Sequence, residues 1–196
     1  MTLPHRTVVY RALCDAAARF VGLPAWSYGS TIFTGPDLVE AIIRTESGGD
    51  PRARRYEPHQ DRATRTDVAR DPDTADKDDG DLEDDASYGL MQVMGFNARA
   101  LLGVRPGTPM SFAPLYRPLL NISLGLTIFT SELAAVAAEV SAGKIPGGRT
   151  VERALCKYNG GGTGDALQPD GTFRLQRYVD RVARHAFAVR REKEGA

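Results

Sequence analysis

The sequence predicts a mainly α-helical single domain, and three observations carry that expectation. Apolar residues recur at helical spacing along most of the chain, Gly and Pro clusters punctuate those runs, and one long central stretch is too polar to join a core. A chain of 196 residues favours one domain and is long enough to bury a core. Its 42% apolar and 26% charged content is ordinary for a globular protein.

Residues 6–21 place Val9, Leu13, Ala16, Ala17 and Phe20 at helical spacing, which predicts an N-terminal helix. Thr34-Gly35-Pro36-Asp37 reads as a helix start, with proline in the first turn and an acid favoured by the helix dipole. Leu38, Val39, Ile42 and Ile43 then form an apolar face. Glu46 lies eight residues beyond Leu38 and three beyond Ile43, on the edge of that face. Ser47-Gly48-Gly49-Asp50-Pro51 ends the helix.

From His59 to Ala86 the only large apolar residues are Val68 and Leu82. Such a segment cannot bury enough surface to offset its ordering entropy, which predicts a long mobile insertion over about 59–86. Its charge is segregated. Arg52 to Arg70 holds six arginines against three acids, and Asp71 to Asp85 holds nine acids against Lys77 alone. Order is expected to resume at Tyr88–Val93, with a small hairpin beside the insertion and a helix from Asn97 to Leu102. Pro106, Pro109 and Pro114 mark a loop. Asn121 to Val140 reads as a long, largely buried helix, broken by the stretch Gly143–Gly148. Val151 to Tyr158 reads as a short helix stopped by Asn159 and three glycines. Phe173 to Arg190 reads as a last amphipathic helix through Leu175, Tyr178, Val182 and Phe187. The core is expected over about residues 36–190.

Several function classes are disfavoured. Lys plus Arg and Asp plus Glu both total 25, so net charge gives no nucleic-acid or membrane footprint. No apolar run approaches the roughly 20 residues of a spanning helix, so no membrane insertion is expected. The N-terminal residues lack a signal peptide's hydrophobic region, so the protein is expected to be made in the cytoplasm. Cys14 and Cys156 are too few for a disulfide framework and read as reduced core thiols. His5, His59 and His185 have no ligand spacing, and an EF-hand register on Gly80 places Ala75, Lys77 and Ala86 at ligand positions, so no metal and no cofactor are expected. Gly160–Gly164 lacks the lysine and following helix of a P-loop.

A carboxylate at a helix C-terminus is disfavoured by the dipole, which draws attention to Glu46. Its company sharpens the interest. Ser87-Tyr88-Gly89-Leu90-Met91-Gln92 combines a small hydroxyl, a glycine and an amide in an apolar stretch, and Tyr158-Asn159 pairs an aromatic with an amide before mobile backbone. Together with Asn121-Ile122 and Tyr178-Val179, these motifs occur in an order that resembles the lytic transglycosylases (SLT-type) of the lysozyme-like superfamily. They span residues 38 to 182. Arg55-Tyr56-Glu57-Pro58 is similar to a phage-associated subgroup of endolysins and virion proteins.

The resemblance implies a lysozyme-like fold (goose-type lysozyme and lytic transglycosylase) with a long acidic insertion loop. It implies a monomer acting on peptidoglycan glycan strands, carried to the wall by phage-mediated release or within a virion. Glu46 would be the general acid and then the base that removes the proton of the sugar's own C6 hydroxyl, giving 1,6-anhydro-muramyl ends. That chemistry needs a carboxyl that starts neutral, which burial beside apolar groups favours. Ser87 would hydrogen-bond near the reacting sugar, Met91 and Gln92 would line the groove, Tyr158 and Asn159 would hold the saccharide, and Tyr178 would orient Glu46. Two-carboxylate glycosidases need a second acid; a transglycosylase does not. In typical members Glu and the Ser-x-Gly-Leu-Met-Gln motif are closer than the 41 residues (87 − 46) found here. Asp84 or Asp85, at the end of the insertion, would be the second carboxylate of a hydrolytic muramidase. A wall-binding or virion module without turnover is the third reading.

Overall fold

The computed structural model describes residues 6–56, 84–105, 108–160 and 164–195. A 3₁₀ turn (Arg6–Tyr10) leads into α1 (Arg11–Phe20), followed by strands β1 (Trp26–Tyr28) and β2 (Thr31–Phe33) and by α2 (Gly35–Ser47). Strands β3 (Arg54–Tyr56), β4 (Ala86–Tyr88) and β5 (Val93–Met94) precede α3 (Gly95–Leu101). A 3₁₀ turn at Ala113–Tyr116 then leads to α4 (Pro118–Ser141), α5 (Thr150–Gly160) and α6 (Gln176–Glu194). The chain divides into two compact units: Met1–Thr45 with Leu126–Ala196, and Glu46–Gly125.

In the first unit, α2 starts where the sequence predicts, and a reciprocal cap sets the start. Asp37 N–H donates to Thr34 Oγ1 at 3.3 Å, while Thr34 N–H donates to the Asp37 carboxylate at 3.0 Å. Leu38, Val39, Ile42 and Ile43 are each 0% exposed, as their spacing requires.

The N-terminal helix corrects the sequence reading. Its predicted face is wrong: Val9 is 75% and Phe20 92% exposed, while Thr7, Cys14 and Ala18 are buried. Positions 7, 11, 14 and 18 are as helical in spacing as the apolar set. They point inward because a polar cluster receives them. Thr7 Oγ1 donates to Glu40 at 2.8 Å, and Arg11 and Arg44 pair with Glu40 at 3.1 and 2.6 Å. Arg44 and Arg11 also reach Glu192 of α6, at 2.7 and 2.6 Å. These three hydrogen bonds to Glu192, one from Arg11 and two from Arg44, carry α6 past the predicted Arg190 end.

The β1–β2 hairpin is an addition to the sequence reading. Trp26 pairs with Phe33 across it, and Gly29 (φ 59°) makes the tight turn between Tyr28 and Thr31. Trp26, Phe33 and Phe187 of α6 form a chain of ring contacts at 5.5 and 4.9 Å.

In the second unit the expected hairpin is a three-stranded antiparallel sheet in the order β3-β4-β5. Arg54 pairs with Tyr88, Arg55 with Ser87 and Tyr56 with Ala86. The insertion is therefore the connection of one hairpin, and the sheet closes its two ends. Most of the expected mobile insertion, residues 57–83, lies outside the described residues. Tyr88 stacks on Phe112 at 5.3 Å and meets Tyr116 edge-on at 5.8 Å.

Helix α4 corrects a second expectation. At 24 residues, with mean hydropathy 1.6 over its best window, it is long and apolar enough by composition to cross a bilayer. Ile122, Leu126, Phe129 and Val136 on it are each 0% exposed, but only 39% of that window is buried, so the helix is less buried than the sequence predicts: one face packs inward and the other does not. Its length is close to the Asn121–Val140 read from the sequence; what interspersed Asn121, Ser123 and Thr127 concealed was its overall apolar character, since they break any uninterrupted run.

Candidate active site

Glu46 sits half-buried in the last turn of α2. Gly48 and Gly49 follow in left-handed backbone (φ 63° and 82°), a conformation that ends a helix and that side chains resist. Between them and Glu46, Ser47 reaches out of the helix. Its hydroxyl donates to the Leu90 carbonyl at 2.8 Å and accepts the Gly49 N–H at 3.2 Å. The peptide that carries Glu46 is thus bonded to the Gly89–Gln92 turn, although the insertion separates them in sequence.

That turn is held from several sides. Gly89 N–H donates to the Ala53 carbonyl at 2.8 Å, which joins the two flanks of the insertion a second time. Asn121, 0% exposed on α4, accepts the Met91 N–H through Oδ1 at 2.7 Å and donates from Nδ2 to the Tyr88 carbonyl at 2.7 Å. Gln92 adopts φ 48°; among the described residues Arg149 is the one other non-glycine residue with positive φ. Non-glycine residues in this region store strain and persist where the surroundings over-determine them. Here the side chain supplies that determination. Gln92 Nε2 donates to the Gly89 carbonyl at 3.0 Å and the Ala53 carbonyl at 3.3 Å, and Oε1 accepts the Ser87 hydroxyl at 2.8 Å.

The sequence-predicted residues therefore separate by setting. Glu46, Ser87, Met91 and Gln92 share the second unit. Ser87 is 1% exposed and its hydroxyl is engaged with Gln92, so it orients that amide. Met91 is 0% exposed and packs against Gly125, where an added Cβ would lie 2.6 Å from the Met91 Cβ, so it fills the core under the turn and does not face an open groove. Asp84, intermediate in exposure, accepts from Arg99 Nε at 2.8 Å, and Arg99 also donates to the Thr108 carbonyl at 2.6 Å. Asp85 is half-buried beside it.

Tyr158, Asn159 and Tyr178 belong to the first unit. Tyr158 is half-buried and meets Phe129 edge-on at 6.0 Å; Asn159 is exposed in the last turn of α5. Tyr178 is 3% exposed on α6, with the Arg181 guanidinium 5.9 Å from its ring centre. Among the described residues no three of His, Cys, Asp and Glu gather as metal ligands.

Sequence reasoning placed Asn121 in a motif but gave it no task. The signal was there: a lone amide on a helix that is otherwise apolar at its inward positions must find buried partners.

No curated protein and no solved structure matches this chain. The sequence profile of the transglycosylase SLT domain, however, matches residues 31–170, which take in Glu46, the Ser87–Gln92 turn, Asn121 and Tyr158-Asn159. The chain belongs to the SLT transglycosylases, and its mainly helical architecture is the lysozyme-like fold of that peptidoglycan-cleaving family.

Proposed function

We propose that this protein is a lytic transglycosylase that cleaves the β-1,4 bond between N-acetylmuramic acid and N-acetylglucosamine, with Glu46 as its single catalytic carboxyl. The observation that carries the reading is the Ser47–Leu90 hydrogen bond of 2.8 Å. It brings the Glu46-Ser47-Gly48-Gly49 motif against the Ser87–Gln92 motif despite the insertion, so two motifs of the family act from one place.

In the proposed reaction protonated Glu46 gives its proton to the glycosidic oxygen as the bond from C1 of N-acetylmuramic acid breaks. The sugar's own N-acetyl carbonyl stabilises the electron-poor C1. The Glu46 carboxylate then takes the proton of the C6 hydroxyl, whose oxygen bonds to C1 and closes the 1,6-anhydro ring. No water is consumed, and Glu46 ends protonated as it began. Gln92, its amide fixed by Ser87, Gly89 and Ala53, is a rigid polar group in the turn to which Ser47, next to this acid, is bonded.

A hydrolytic muramidase would need Asp84 or Asp85 to activate water. The Asp84–Arg99 ion pair through Oδ2 supports the single-acid reading, because it engages that carboxylate with a guanidinium, although its buried Oδ1 has no hydrogen bond among the described residues. Mass analysis of digested peptidoglycan tests the reading. Anhydro-muramyl ends are expected, reducing ends would establish hydrolysis, and the absence of soluble fragments would establish a module without turnover. Glu46→Gln should abolish fragment release; wild-type release by that variant would remove Glu46 from the mechanism.

A further inference from the structure

Helix α6 carries an exposed line of arginines that the proposed chemistry does not use. Arg177, Arg181, Arg184 and Arg191 follow one another at steps of four, three and seven residues, which places them on one face. All four are exposed. The line runs for about 21 Å at 1.5 Å per residue. The opposite face of α6 is buried through Tyr178, Val179, Val182, Ala183, Ala186 and Val189, so the arginines stand on the solvent side.

The acids of the same helix are committed elsewhere. Asp180 accepts from Tyr28 at 2.8 Å and Gln176 at 2.7 Å, Glu192 accepts from Arg11 and Arg44, and Glu194 accepts from Arg190 at 2.7 Å. None of the four arginines is within an ion pair or side-chain hydrogen bond among the described residues; Arg181 alone has a ring contact, with Tyr178. Like charges at i, i+4 and i, i+3 cost helix stability, and among the described residues none of the four is in an ion pair that would offset it.

We propose that this face docks the carboxylates of peptidoglycan peptide stems and so holds the enzyme on its polymer. The inference rests on the peptidoglycan substrate of the proposed function. Four guanidinium groups in a line suit an extended polyanion, and each can take a carboxylate through two parallel hydrogen bonds. A bilayer is the poorer fit, since the apolar face of α6 is already buried and cannot enter lipid. Nucleic acid is also the poorer fit, since the chain's formal net charge is zero. Anchoring of this kind raises the local concentration of the catalytic site on an insoluble substrate without touching the reacting bond.

The test is co-sedimentation with purified sacculi, using Glu46→Gln protein so that the wall is not cut. Arg177→Gln, Arg181→Gln, Arg184→Gln and Arg191→Gln combined should weaken binding about tenfold at low salt, the sum of four exposed ion pairs. Amidating the sacculus carboxylates should weaken the parent's binding equally and change the combined variant little. Acid removal of wall phosphodiester polymers should change neither. Equal binding by parent and variant, indifference to amidation, or loss of binding on removing the phosphodiester polymers would each overturn the proposal. A thermal melt of the combined variant separates docking from a structural role: its midpoint should hold or rise, because repulsion is removed, and a large fall would overturn the assignment. Fragment release by the Glu46→Gln protein would defeat the catalytic reading alone and leave the binding comparison standing.

Discussion

Asn121 and Met91 are joined by a 2.7 Å hydrogen bond in which a buried side-chain amide takes the place of a backbone partner. The same amide donates to the Tyr88 carbonyl, so one residue satisfies both sides of the turn that carries Gln92. Asn121→Ala would leave a buried N–H and a buried carbonyl unpaired, at a cost of about 2–4 kcal/mol. Urea unfolding should show a lower midpoint with unchanged slope. Fragment release should fall further than the loss of folded protein explains, because Gln92 loses its fixed setting.

The glycines around the site should divide sharply. Gly89 has φ 71°, and an added Cβ would lie 2.5 Å from Asn121 Nδ2 and 2.6 Å from the Leu115 carbonyl oxygen. Gly89→Ala combines left-handed strain with overpacking and should cost about 3 kcal/mol or more. Gly48 has φ 63° but nothing within 4 Å of such a Cβ. Gly48→Ala should cost about 1 kcal/mol, from backbone strain alone. Equal melting temperatures for the two variants would contradict this division.

The buried cluster around Glu40 predicts acid sensitivity. Burial alone would raise the Glu40 carboxyl, but hydrogen bonds from Arg44, Thr7 and Arg11 and the Arg44 charge outweigh it and hold it below its ordinary value. Hydrogen bonding from Arg44 likewise lowers Glu192. Because the folded values lie below the unfolded ones, this stabilisation is present above the ordinary Glu value of 4.5 and is lost as pH falls further. Thermal melts should be level from neutral pH down to that value and then drop. Arg44→Met, which leaves buried Glu40 with only Arg11 and Thr7, should cost about 3 kcal/mol and flatten the acid limb.

Cys14 and Cys156 are free and buried, and burial first of all pushes each thiol up to about 12. Nearby acids add to it, Glu40 at Cys14 and Asp165 at Cys156. Neither forms appreciable thiolate at mildly alkaline pH, so neither should react with a thiol reagent in the folded protein. Both should react after denaturation. Rapid labelling of native protein at either position would refute this.

How far the sequence disclosed the molecule depends on the range of the forces involved. Helices α2 and α4 were legible because a cap, a periodic apolar face and a glycine stop are all local. The β1–β2 hairpin was not, since three-residue strands are too short to display alternation and depend on Trp26 and Phe33 packing with Phe187. The face of α1 was misread because its inward residues answer Glu40 and Glu192, distant in sequence, and an arginine on an apolar wheel looks like a surface residue. At the site, Glu46 and Gln92 stood out by residue type and order. The clamp on Gln92 did not, because a positive φ and three side-chain hydrogen bonds appear only once β3, β4 and α4 are assembled.

The first unit has a consequence for how the protein is made. It is built from Met1–Thr45 and Leu126–Ala196, and its buried guanidinium at Arg44 is completed by Glu192, 148 positions later. During ribosomal synthesis residues 1–45 must therefore wait, with Glu40 and Arg44 still in water, until Glu192 has emerged. Glu46–Gly125 is contiguous and has no such delay. The ionic cluster can therefore close only after Glu192 is made, later than the contacts within Glu46–Gly125 become possible.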